Sequence, residues 1–90
     1  MPKFTEKQGQ YLAYIHTYIL LNRKAPSEAD MQWFFRVTPP SVHRMVVELE
    51  ARGLITYTPG VARSIRIAVS SGEIPALQEP EPVKTPVDDH

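Results

Sequence analysis

Three helical stretches with marked starts, followed by two β-type runs around a Pro-Gly turn, predict a mainly α fold with a small β-hairpin. That order is a winged helix-turn-helix: three helices plus a two-stranded wing. The boundary of the fold is read from composition. Residues 1–69 form the domain, and residues 70–90 are expected to be a disordered Pro-rich acidic tail.

The first helix begins at Thr5. Thr5-Glu6-Lys7-Gln8 is a capping box, in which Gln8 reaches back to the cap N–H. The helix is predicted to run to about Asn22. Leu12, Ile15 and Ile19, with Tyr11 and Tyr18 beside them, make the core-facing stripe. Tyr14 and Leu21 widen the apolar arc, and Leu20 lies outside it. A surface helix needs one apolar face only, so the surplus is either a second contact surface or exposed apolar residues without a partner. Tyr14, Leu20 and Leu21 are therefore the candidate dimer or partner surface.

Arg23 to Pro26 connect to a short second helix, predicted over Glu28–Phe35. Ser27 caps it, with Asp30 three residues on. Met31, Phe34 and Phe35 give the packing positions, and Trp33 lies off that stripe. Arg36 and Val37 turn the chain into the third helix. Many such turns use glycine, and this one has none.

The third helix, Thr38 to about Arg52, has both ends marked. Thr38 is the cap, Pro39 takes the first helical position and Gly53 supplies the left-handed stop. Val42, Met45, Val46 and Leu49 form one apolar stripe. On the far side lie Pro40, Arg44, Val47, Glu48 and Ala51, with Ser41 and His43 on the flanks.

Leu54–Thr58 and Ser64–Val69 are the two predicted strands, with Pro59-Gly60 as the turn and Arg63 near the tip. Ile65, Ile67 and Val69 fall on one side. A hairpin this small must lean on the helices to be stable.

Formal net charge is zero but unevenly placed. Residues 1–69 carry nine Lys/Arg and five Asp/Glu, which is +4; residues 70–90 carry one Lys and five Asp/Glu, which is −4. There are no cysteines, so disulfides and thiolate chemistry are excluded. The N-terminus lacks an apolar signal core, and no run approaches a membrane span. His16, His43 and His90 are scattered, with no pair at metal spacing, no nucleophile constellation and no phosphate loop. No enzyme, metal, cofactor or small-molecule ligand is expected.

The stretch Arg36–Ile55, R-V-T-P-P-S-V-H-R-M-V-V-E-L-E-A-R-G-L-I, resembles the recognition-helix region of bacterial winged-helix repressors. F-T-E-K-Q at the first helix, A-P-S-E-A-D-M at the second and I-T-Y-T-P-G-V-A-R-S-I-R-I in the wing are similar to the DNA-binding domain of LexA repressors. The resemblance covers about residues 4–69, and the wing is its most specific part. It implies a cytoplasmic, nucleoid-associated regulator that binds double-stranded DNA, with the third helix in the major groove. The start of that helix would read bases, through Pro40, Ser41, His43 and Arg44; Val47 adds apolar surface for a base edge. Two departures stand out. The turn between the second and third helices is one residue shorter than the family pattern. The chain also ends where the family's self-cleaving peptidase, with its serine–lysine pair and dimer interface, would begin, so self-cleavage is not carried over.

The residues weigh this expectation. An outward arginine at position 44 suits guanine O6 and N7, or else an i+4 pair with Glu48. Pro39 and Pro40 remove two N–H donors from the helix start, so cations must hold the phosphates. Lys24, Arg36, Arg63 and Arg66, with the Thr38 hydroxyl, are the candidate backbone contacts. A homodimer on DNA is expected. The alternative is a winged-helix protein-interaction module, with Tyr14, Leu20, Leu21 and Trp33 as its surface.

Overall fold

A computed structural model describes residues 3–80. Its order is α1 (Glu6–Asn22), α2 (Glu28–Phe35), α3 (Pro39–Ala51), β1 (Ile55–Thr56), β2 (Arg66–Ile67) and a 3₁₀ turn at Ser71–Glu73. The three helices and the antiparallel hairpin are the winged helix arrangement that the sequence predicts.

The helix ends follow their local chemistry. Gln8 N–H donates to Thr5 Oγ1 at 3.1 Å and Thr5 N–H to Gln8 Oε1 at 3.0 Å. Asp30 N–H donates to Ser27 Oγ at 3.0 Å and Ser27 N–H to Asp30 Oδ2 at 2.9 Å. Two capping boxes therefore fix where α1 and α2 start. α3 ends in a Schellman motif: Leu54 N–H reaches Leu49 O, and Gly53 N–H reaches Glu50 O, both at 2.9 Å. Gly53 sits at φ 75°, as that motif requires. The glycine-free turn between α2 and α3 is solved by Arg36, which takes φ 58° itself.

The core is built from the predicted stripes. Tyr11, Leu12, Ile15, Met31, Val42, Val46 and Leu49 are buried, joined by Leu54, Ile55 and Ile65 from the hairpin. Met45, Phe35 and Ile19 pack around them, half-buried. The inner side of α3 is thus sealed on one edge by α1 and α2 and on the other by the hairpin.

The strands are shorter than Leu54–Thr58 and Ser64–Val69. The ladder holds only Ile55 opposite Ile67 and Thr56 opposite Arg66, extended by an Ala68 N–H to Leu54 O bond. The cause lies in Thr58 and Ser64. Ser64 Oγ accepts the Thr58 N–H at 2.9 Å and lies 3.1 Å from the Thr58 carbonyl. Thr58 O also accepts Val61 N–H across Pro59-Gly60, where Gly60 has φ 81°. Thr58's backbone is engaged locally and has nothing left for a ladder.

Residues 70–80, the start of the expected tail, are among the described residues. Ser70–Pro80 lies along α1. Ile74 packs on the core, Glu73 Oε1 pairs with Lys3 Nζ at 3.0 Å, and the Gln10 amide makes two bonds to the strap backbone. Composition argued against order because it sums average burial; here a few placed contacts hold an aperiodic segment. Residues 81–90, the rest of the expected tail, lie outside the described residues.

Candidate nucleic-acid interface

With Val42, Val46 and Leu49 inward, geometry leaves Pro40, Arg44 and Val47 outward on α3, all exposed. Val47 keeps 43% of its surface. Arg44 makes no ion pair or hydrogen bond among the described residues. Its possible i+4 partner, Glu48, faces α1 and accepts a long 3.4 Å bond from Gln8 Nε2. An unpaired guanidinium therefore stands in the middle of the outer face.

Ser41 flanks it. Thr38 Oγ1 donates to Ser41 Oγ at 3.0 Å and accepts the Ser41 N–H at 3.4 Å. The Ser41 hydroxyl proton remains available to an external acceptor. The helix terminus itself offers no N–H to an anion. Pro39 and Pro40 have none, Ser41 N–H is held by Thr38, and Val42 N–H donates to Thr38 O at 3.2 Å. Positive charge for a polyanion must come from side chains. Sequence reasoning missed one of these. Lys7 on α1 lines the same hollow as Ser41 and Arg44. Its signal was faint: one exposed lysine in the first turn of a helix remote in sequence.

On the other edge of α3, the groove beneath the wing is lined by Pro26, His43, Tyr57 and Val61. His43 does not stand free there; its Nδ1 lies 3.2 Å from Glu28 Oε2 on α2. Arg63 is also engaged within the chain. It has φ 59°, and its Nη1 lies 3.0 Å from Ala25 O, 3.1 Å from Tyr18 Oη and 3.1 Å from Asp30 Oδ2. The guanidinium sits 5.9 Å from the centre of the Tyr18 ring. A phosphate would have to compete with Asp30 for it. Arg63 therefore latches the wing loop to α1 and α2. The Ser27 N–H bond holds the Asp30 carboxyl below the ordinary carboxylate range, helped by the Ser27 hydroxyl, Arg63 and Tyr18 against partial burial.

Lys24, Arg36 and Arg66 are exposed without an ion pair among the described residues, and Thr38 is exposed as the α3 cap. The structure thus gathers Lys7, Ser41 and Arg44 at one hollow, with Glu48 as its acid, and His43 and Arg63 at another, with Glu28.

The candidate partner surface splits. Tyr14 stacks on Phe34, with ring centres 4.5 Å apart, and meets Phe35 edge-on at 5.7 Å. Burial foremost, then the Asp30 charge, raises its hydroxyl pKa. Its ring is part of the domain's own packing. Leu20 and Leu21 keep 63% and 78% of their surfaces, and Trp33 80%. No group of three His, Asp or Glu side chains among the described residues is placed to hold a metal. No described helix is long and apolar enough to cross a membrane.

No family model matches the chain. Curated relatives do. It is 42% identical over 67 residues to the LexA repressor of Thermosipho melanesiensis, covering 74% of this chain and 34% of that one. It is 34% identical over 87 residues to the LexA repressor of Thermosipho africanus, covering 97% and 39%. The LexA repressor of Petrotoga mobilis is 34% identical over 84 residues, covering 92% and 40%. The chain spans between a third and two fifths of the length of these relatives. Similarity along most of the chain, on a three-helix and hairpin fold, places it in the LexA repressor family, as the counterpart of that part of its members.

Proposed function

We propose that the chain binds double-stranded DNA sequence-specifically and acts as a transcriptional repressor or regulator, with α3 in the major groove. The observation that carries this is Arg44: exposed, not paired with Glu48 although both line one hollow, and flanked by Ser41 and Lys7. Relatives named as repressors support the same reading. Arg44 supplies the fork for a guanine, and the free Ser41 proton and the Pro40–Val47 surface meet neighbouring base edges. Lys7, Lys24, Arg36 and Arg66 hold phosphates and set the register. Arg63 contributes by holding the wing in place, and His43 by its contact to Glu28 at the groove edge.

Sites selected from a random duplex library test this. Arg44→Ala is expected to cost roughly 1–3 kcal/mol against the selected site and to relax one base position. Lys7→Ala and Arg66→Ala are expected to weaken all sequences alike and to flatten log affinity against log salt by about one unit each. Unchanged sites and affinity in Arg44→Ala would overturn the base-reading role. The second reading, a protein-interaction module, rests on the exposure of Leu20, Leu21 and Trp33. It takes over if the intact protein binds no duplex at low salt.

A further inference from the structure

The strap Ser70–Pro80 is seated in a built site on α1. Gln10 provides a two-point clamp: Nε2 donates to Ala76 O at 3.0 Å, and Oε1 accepts Gln78 N–H at 2.8 Å. That is the pairing of an added β-strand, made by one side chain. Beneath it lies Gly9. A Cβ at position 9 would stand 3.0 Å from Pro75 Cγ and 3.0 Å from Phe4 Cε1, so the strap crosses where the helix has no side chain. The Lys3–Glu73 pair and Ile74 on the core fix its other end.

The clamp determines where the strap finishes. Gln78, Glu79 and Pro80 line a hollow with Glu6, Lys7, Gln10 and Val37. Lys7 and Val37 also line the hollow of Ser41 and Arg44. Glu79 and the outer-face residues Ser41 and Arg44 thus line two hollows that share Lys7 and Val37. In sequence, Glu79 opens a stretch that continues with Glu81, Lys84, Asp88 and Asp89.

We infer that the outer face of α1 is a docking site for the chain's own segment 70–80, and that the docked strap restrains DNA binding by setting Glu79 against Lys7. The inference rests on the DNA-binding reading above. Beside Glu6, Glu79 adds a second carboxylate at the hollow of the lysine that a phosphate would use, and an entering duplex must displace it or tolerate it. Undocking the strap removes the restraint without touching α3. The site is thus a point at which anything that captures residues 70–80 would raise affinity for DNA.

The test uses the full chain and a fluorescent mixed-sequence duplex at low salt. Glu79→Gln is expected to tighten binding about two- to fivefold, the scale of one exposed charge contact. The gain should shrink as salt screens it. Gln10→Ala should give a similar gain, and the double variant no more than the larger single one, since both remove one contact. Lys7→Ala should abolish the gain from Glu79→Gln. Amide exchange at Gln78 reports docking without DNA: slow in the parent chain, fast in Gln10→Ala. Normal duplex binding that is indifferent to Glu79→Gln and Gln10→Ala overturns the restraint and leaves the Arg44 reading intact. Fast Gln78 exchange in the parent chain overturns the docking. Absence of duplex binding in every variant overturns the DNA reading, and the restraint with it.

Discussion

Replacing Asp30 with alanine separates two contacts that meet at one carboxylate. Its Oδ2 accepts the Ser27 N–H at 2.9 Å and lies 3.1 Å from Arg63 Nη1. The first bond closes the α2 capping box. The second ties the wing loop to α2. The Arg63 pair is partly solvated, with side chains 36% and 30% exposed, so its direct contribution is taken as negligible. What remains is a charge-assisted bond to a helix-start N–H, whose loss costs about 1–2 kcal/mol. For a domain of this size that lowers the melting temperature by about 4–16 °C. Asp30→Asn keeps an acceptor and should fall between alanine and the parent. The pH dependence has a definite sign. The folded carboxyl is held below its unfolded value, so its stabilisation is complete above about pH 4 and disappears as pH falls through the folded value. Thermal melts of parent and Asp30→Asn should therefore run parallel at neutral pH and converge in acid. Parallel curves down to the lowest pH, or an Asp30→Ala melt that matches the parent, would refute the hub assigned to this residue.

Two further expectations concern surfaces. Gly9→Ala gains helix propensity of up to about 1 kcal/mol but forces Pro75 and Phe4 to move. In a double-mutant cycle, Gly9→Ala should be more favourable beside Pro75→Ala than in the parent, and additive values would mean that Pro75 does not press on Gly9. Leu20 and Leu21 are the free part of the expected dimer surface. If they form it, the parent should sediment as a dimer and a Leu20→Lys, Leu21→Lys variant as a monomer; a parent that is monomeric both free and on DNA removes the dimer.

The local features were legible in the sequence because they rest on neighbours. Thr5 with Gln8, Ser27 with Asp30, and Pro39 after Thr38 are short-range devices, and helix periodicity then tells which side of α3 is buried. What was not legible depends on residues far apart. Arg63 reads as a wing-tip cation until Asp30, Tyr18 and Ala25 are placed beside it. Tyr14 reads as surplus apolar surface until Phe34 stacks on it. The strand lengths were misjudged because one side chain, Ser64, takes the backbone groups of Thr58. Nothing in the sequence marks Arg23, Arg36 and Arg63 as the residues that accept φ near 60°. Arginine has no special ease there, unlike glycine, so these turns are imposed by the packing on either side. Pro75 over Gly9 was hidden for a related reason, since a glycine inside a helix looks like a weak point rather than a crossing.

A net charge of zero does not argue against a polyanionic partner here, because of where the charges are held. Among the described residues, two acids in ion pairs are engaged with cations off α3, Asp30 with Arg63 and Glu73 with Lys3, while Glu28 meets His43 on the flank of α3. Glu48, the acid on α3 closest to Arg44 by helical spacing, is drawn towards Gln8 instead. Lys7, Arg36 and Arg44, by contrast, have no ion pair among those residues. A field that steers an anion is set by such local placement and falls off over about a Debye length of 8–10 Å, so distant carboxylates cancel little of it. Three acids stay near these cations: Glu48 lines the hollow of Lys7, Ser41 and Arg44, and Glu6 and the strap's Glu79 line the neighbouring hollow with Lys7. Of the strap's two described acids, Glu79 is therefore the one whose neutralisation should alter duplex affinity more, and Glu73, paired with Lys3 at the other end of the strap, the one whose neutralisation should alter it less.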